Sequence, residues 1–266
     1  MLKLTLTQKL FLILAFITIV ILISVRYFYH QKPIHFSIDD VTICLENLTR
    51  DSNQYFSPFQ EPFFATLQKM HNRTGAKFTL YIFEQYGDFN ISKIPEKYSD
   101  EFKNNNNWLR FGFHAPFPKS TTDSVVFMQS YLRTDSCIKS KLGGNKTSTL
   151  RLDYFRATKK EIEALRKQGI TTLLAADDNR LSYSVTPKQN AQLLSSEKFN
   201  YNTIGGVVLK HTDARIEMTS PLTVLVQNAN DEELVIFTHE CCFYENTKEI
   251  NMYLFFFYLT GCIFTY

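Results

Sequence analysis

Between Leu10 and Val25 the chain is a run of mostly Leu, Ile, Phe and Val without a single charge; beyond it, apolar and polar positions alternate in short stretches. A helix built from that run is apolar on every face, which suits lipid rather than the surface of a globular domain. The run is about 16 residues, short for a full span, and Tyr27, Phe28 and Tyr29 extend it with rings suited to a membrane interface. A cleaved signal peptide would show small residues at the cut, and Ser24-Val25-Arg26 does not fit that pattern. An uncleaved anchor over residues 10–29 is therefore expected, with a signal peptide as the alternative. Lys3, Lys9 and the amino terminus outweigh Arg26 and Lys32. That balance puts residues 1–9 in the cytoplasm and a domain over residues 34–266 outside it.

Downstream, strand and helix periods take turns. Ile34–Ile38 reads as a strand. Phe63, Leu67 and Met70 sit at helical spacing between Pro62 and Thr74, and Gly75 follows as a terminator. Within Lys77–Phe83, Phe78, Leu80 and Ile82 alternate with Thr79 and Tyr81, a strand pattern. Trp108–Phe113 is the next strand and runs into His114. A helix is expected over Thr122–Lys139, and a strand over Thr149–Asp153. Thr158 with Glu161 three residues on, closed by Gly169, predicts a helix over Thr158–Gln168. Ile170–Ala175 is a strand leading into Asp177-Asp178. Shorter strand candidates follow at Gly205–Lys210 and Arg215–Met218, then Glu233–Thr238, which ends at His239. Thr247–Thr260 predicts a buried helix stopped by Gly261, and Cys262–Tyr266 a last strand. A second membrane segment there is disfavoured, because Glu249, Asn251 and Gly261 bound or interrupt the apolar stretch. Alternation of this kind predicts an α/β fold with a mainly parallel sheet, open or closed into a barrel.

Composition narrows the function. Twenty-nine basic residues against 26 acidic leave a net charge of +3, with no basic stripe to hold nucleic acid. The five cysteines, Cys44, Cys137, Cys241, Cys242 and Cys262, fit neither a zinc-ribbon spacing nor a disulfide framework.

Polar residues fall at the predicted strand ends. Asp39-Asp40, His114, Arg151 or Asp153, Asp177-Asp178 and His239 all lie there, and in a β/α barrel those ends share one rim, where active sites form. Asp39-Asp40 is the most informative pair. Side chains alternate across a strand, so the two acids point the same way only where the strand has ended. Two adjacent carboxylates raise one pKa or call for a cation. Each residue also has a plainer explanation. Asp favours turns, a lone histidine after a strand is ordinarily structural, His211 reads as part of a solvated turn, and Arg215 and Glu217 read as an ion pair.

Ser37-Ile38-Asp39-Asp40 resembles the Thr-Phe-Asp-Asp signature of the polysaccharide deacetylase family, carbohydrate esterases of the NodB type. The segment Gly75-Ala76-Lys77-Phe78-Thr79-Leu80-Tyr81-Ile82-Phe83, after its helix, is similar to the family's Gly-x-x-Ala-Thr-Phe-Phe element. Phe111-Gly112-Phe113-His114-Ala115 resembles the strand bearing the family's metal histidine. Leu234-Val235-Ile236-Phe237-Thr238-His239 resembles the final Leu-x-Leu-His element. These motifs occur in family order across residues 34–266. The resemblance implies a distorted β/α barrel that removes acetyl groups from N-acetylated glycans with a divalent metal, zinc first, with cobalt, nickel, iron or manganese as alternatives. It implies Asp39 as general base, Asp40 and His114 as metal ligands, Arg151 as the arginine holding the base and His239 as general acid. Asp177 or Asp178 would then resemble the acid that tunes His239. Tyr154 and Asp177 are expected to touch substrate.

Two departures matter, and the first is that the family's Arg-x-Pro-Tyr-type motif is altered here to Arg151-Leu152-Asp153-Tyr154. The other is in the histidine motif: the family has a second histidine four residues after the first, where this chain has Pro118. Asp178 is the expected replacement ligand. The altered motif also leaves two rivals: a degenerate barrel that binds glycan without turnover, and a tethered interaction domain with no sugar role.

Overall fold

The computed structural model describes residues 5–119, 123–195 and 206–266. Thr122 and Gly205, the expected starts of one helix and one strand, lie outside the described residues, as do residues 1–4 of the expected cytoplasmic segment.

The strands in chain order are β1 (Pro33–Val41), β2 (Phe78–Phe83), β3 (Gln85–Tyr86), β4 (Phe89–Asn90), β5 (Leu109–Ala115), β6 (Thr149–Leu150), β7 (Thr172–Leu174), β8 (Val208–Lys210), β9 (Ala214–Arg215), β10 (Leu234–His239) and β11 (Ile263–Thr265). The main sheet runs β5-β2-β1-β10-β9, and β11 pairs with the start of β1. Every pairing in it is parallel. A second parallel sheet is β6-β7-β8, and Lys146, in the segment ahead of β6, forms an isolated bridge to Phe111 of β5. The chain is thus α/β with a parallel central sheet, and the described strands do not hydrogen-bond into one closed ring.

Alternation along β1 sets up everything else. Ile34, Phe36 and Ile38 are fully buried in the larger core. Helices Pro62–Thr74 and Thr247–Thr260 add Phe63, Leu67, Tyr253 and Phe257 to that core. The intervening His35, Ser37 and Asp39 turn to the other face. There they meet Tyr81, Val235 and Phe237 from β2 and β10. Burial, with the charges of Arg151 and Lys210, pushes the His35 pKa down to about 3.

Local signals hold where they were strongest. The Pro62–Thr74 helix ends at Gly75 in the left-handed region, φ 71°. Thr158 and Glu161 form a reciprocal capping box on the helix Lys159–Lys167. Thr247–Thr260 is a helix with bounds as expected. Several strands differ: Ile170–Ala175 shortens to Thr172–Leu174, and the strand expected to end before His114 runs through it to Ala115. β1 runs on through both aspartates to Val41. The Thr149–Asp153 strand stops at Leu150, and Asp153–Phe155 is a 3-10 turn. The Arg215–Met218 strand reduces to Ala214–Arg215, followed by a turn.

Among the described residues, one helix, Leu6–Tyr29, is long and apolar enough to cross a membrane.

Candidate active site

Asp39 and Asp40 reach one cavity because the strand bends between them and its partner. Asp40 adopts φ 59°, and the β1–β2 register shifts between Ile38 and Val41. A left-handed residue inside a strand breaks the alternation, and Asp is among the residues that tolerate it. The expectation that two neighbouring acids share a side only beyond a strand end is thereby corrected: the bulge does it within the strand. The cavity, about 210 Å³, is lined by Asp39, Asp40, His114, Arg151, Asp153, Tyr154 and His239 among others.

Asp40, His114 and Asp153 each bring a donor atom within 4.8 Å of the other two. His114 Nε2 lies 3.1 Å from Asp40 Oδ1. Its Nδ1–H donates to the Arg151 carbonyl at 2.5 Å, which aims Nε2 at the carboxylates. That outer hydrogen bond is the arrangement found behind metal-binding imidazoles. Burial disfavours the charged ring. The Asp40 bond, with the charges of Asp39, Asp40 and Asp153, overcomes this and pushes its pKa up to about 9. Burial acts to raise the Asp40 pKa too, but the His114 bond and the His114 and His239 charges leave it below the ordinary value. Asp153 is fixed by the Lys119 backbone N–H, 2.7 Å from Oδ2. Two carboxylates and an imidazole held this way fit a divalent cation.

Asp178, the expected third ligand, stands elsewhere. It is half-exposed and makes a forked pair with Arg180, 2.6 Å at its shortest. A partner two residues away in the same bend captures its carboxylate, while Asp153 faces inward from the turn after Arg151. The acid paired with His239 is also not the one expected. Glu217 accepts from His239 Nδ1 and from Thr238 Oγ1, the latter at 2.9 Å. Asp177 pairs instead with Arg215, at 2.7 and 3.1 Å. Glu217 was legible only as a charge near Arg215, since the turn after β9 is what separates the two. Burial lowers the His239 pKa, yet the Glu217 bond and the Asp39, Glu217 and Asp40 charges leave it raised overall.

Arg151 is fully buried. Its Nη1 donates to Ser37 Oγ at 2.7 Å and to Asp39 at 3.2 and 3.5 Å, and Nη2 donates to Thr212 Oγ1 at 3.1 Å. The guanidinium also lies 4.0 Å from the centre of the Phe237 ring. One residue thus holds Asp39 with its side chain and His114 with its carbonyl. Glu240, beside His239, invites a metal reading in the sequence but turns to the backbone instead. Its buried carboxylate accepts from the backbone N–H groups of Thr42, Ile43 and Cys44, each at 2.7 Å. It ties the residue after His239 to the segment just beyond Asp40. Tyr154 is exposed at the rim with φ 53°. A neighbouring cavity of about 480 Å³ shares His114, Leu152 and Asp153 with the first and continues past Arg156 and Tyr183.

No protein-family model matches the chain, and no curated protein matches it. Among solved structures, it is similar to the 4-α-glucanotransferase of Thermococcus litoralis at 12% identity and TM-score 0.55. That match covers 89% of this chain and 39% of the other, so the likeness is one of fold and the chain spans about two fifths of that enzyme. The chitin deacetylase of the fungal pathogen Colletotrichum lindemuthianum matches at 15% identity and TM-score 0.36, over 79% of this chain and 87% of the other.

Proposed function

We propose that the chain is a membrane-anchored, metal-dependent hydrolase that removes N-acetyl groups from a glycan, built on a distorted β/α barrel of the polysaccharide deacetylase type over residues 34–266. The observation that carries this is the convergence of Asp40, His114 and Asp153 beside Asp39 and His239 in one cavity. The motif order noted above supports the same reading. Asp153 also answers the departure at Pro118, since a third donor is present without the second histidine.

Asp40, His114 and Asp153 would hold the cation. When bound, such an ion supplies Lewis acidity toward the amide carbonyl and toward water. Asp39, outside that donor group, accepts a proton from the attacking water. Water adds to the amide carbonyl to give a tetrahedral oxyanion; as this collapses the C–N bond breaks, and His239 gives its proton to the departing amine, leaving acetate. Arg151 keeps Asp39 in place, and Glu217 keeps the His239 ring oriented and protonated. Tyr154 offers a ring face for a sugar at the rim.

Metal analysis and acetate release test the reading together. The purified chain is expected to carry one divalent ion and to release acetate from an N-acetylglucosamine hexamer. His114→Ala is expected to lose both. Sugar binding without metal or acetate would establish the non-catalytic alternative instead.

A pH profile tests the acid. The His239 pKa is raised by its partners, so the group is protonated below that value and the rate falls as pH rises through it. Glu217→Gln removes an anion that favours the charged ring, so the alkaline limb is expected to move to lower pH. An unmoved limb would exclude His239 as the proton donor.

A further inference from the structure

The membrane helix and the site sit at opposite ends of β1. In the helix Leu6–Tyr29 the described side chains are exposed, apart from half-buried Ala15 and buried Tyr29. The helix therefore projects from the domain rather than lying along it. Its root is clamped. The Tyr29 hydroxyl donates to the Leu225 carbonyl, and its ring packs edge-on to Phe256 at 5.4 Å. Gln31 N donates to Gly261 O at 2.9 Å, and Lys32 Nζ reaches the carbonyls of Asn228 and Ala229 at 2.8 and 2.9 Å. Only His30, Gln31 and Lys32 separate the helix from β1, so no slack remains for the domain to tumble. From Pro33 to Asp39 the strand climbs about 20 Å, at roughly 3.3 Å per residue. The main-sheet strands are parallel, so their starts lie at the anchored end, while Asp39, Asp40, His114 and His239 lie at the other.

We infer that the site opens away from the bilayer and takes its N-acyl sugar from a polymer standing off the membrane, not from a lipid-linked precursor. This rests on the hydrolase and anchor readings above. A sugar on a lipid diphosphate sits within the headgroup layer, on the wrong side of a stiff spacer about 20 Å long.

The full chain in proteoliposomes tests it. One substrate is the soluble N-acetylglucosamine hexamer; the other is N-acetylglucosamine on a polyprenyl diphosphate in the same bilayer. Acetate release from the hexamer is expected to be at least about tenfold faster at equal concentration. A flexible ten-residue Gly/Ser insert between Arg26 and Tyr27, outside the clamp, is expected to raise the lipid-linked rate and leave the hexamer rate unchanged. Comparable rates on both substrates in the parent chain would overturn the inference while leaving the hydrolase reading intact. Inactivity on both would overturn the hydrolase reading, and the substrate assignment with it. Placement is read separately, without turnover. Tryptophans introduced by Tyr27→Trp and Tyr154→Trp are compared with the parent chain in acyl-brominated lipids. Quenching is expected for the first and none for the second; quenching at position 154, or none at position 27, would overturn the proposed orientation whatever the activity.

Discussion

Asp39→Asn is expected to lower kcat/KM for deacetylation by about 10²- to 10⁴-fold, the usual worth of a positioned proton acceptor. That corresponds to roughly 3–5 kcal/mol of transition-state stabilisation. Asparagine keeps the shape and cannot take a proton from water. Metal content is expected to stay at the parent level, because Asp40, His114 and Asp153 form the donor group and Asp39 stands outside it. The same measurement on Asp40→Asn should show the opposite ordering, with metal lost first. Two results would sink the assignment: an Asp39→Asn rate within threefold of the parent, or metal lost along with the rate. The Asp39→Asn change also takes from the Arg151 guanidinium the carboxylate it pairs with, so unfolding is followed in parallel and rates are compared where both proteins are folded.

The parts of the molecule that local chemistry dictates were legible from residues alone. Thr158, Glu161 and Gly169 specify a helix among themselves, and Phe78, Leu80 and Ile82 announce a strand by their spacing. Strand order and closure were not, because a parallel sheet pairs segments far apart in the chain. The site shows the same division. Asp39, Asp40, His114, Arg151 and His239 were found as polar residues at strand ends, and the structure gathers all five around one cavity. What escaped depends on backbone turns that no periodicity encodes. Asp153 enters the site through the 3-10 turn it begins, and Glu217 through the turn after β9. Asp178 was the expected ligand where Asp153 stands, but Arg180 two residues on claims it.

Arg151→Leu is expected to destabilise the fold by about 3–5 kcal/mol, the cost of stranding one partner of a buried ion pair. For a domain of this size that is a fall in Tm of roughly 6–20 °C. Asp39 is 2% exposed, and among the described residues Arg151 is the cation it pairs with. Leucine would also empty the space between Ser37, Thr212 and the Phe237 ring. The His114 anchor should survive, because Nδ1 bonds the residue-151 carbonyl rather than its side chain. Metal binding is therefore expected to outlast activity. The decisive comparison is the double variant Asp39→Leu/Arg151→Leu. Removing both charges should restore part of the stability, so the two single losses should sum to more than the double loss by roughly 0.5–3 kcal/mol, the coupling usual for contacting groups. Activity should not return, since the proton acceptor is gone. Strictly additive losses would mean that the pair contributes nothing as a pair. A double variant that regains the rate would mean that the water is activated by some other group.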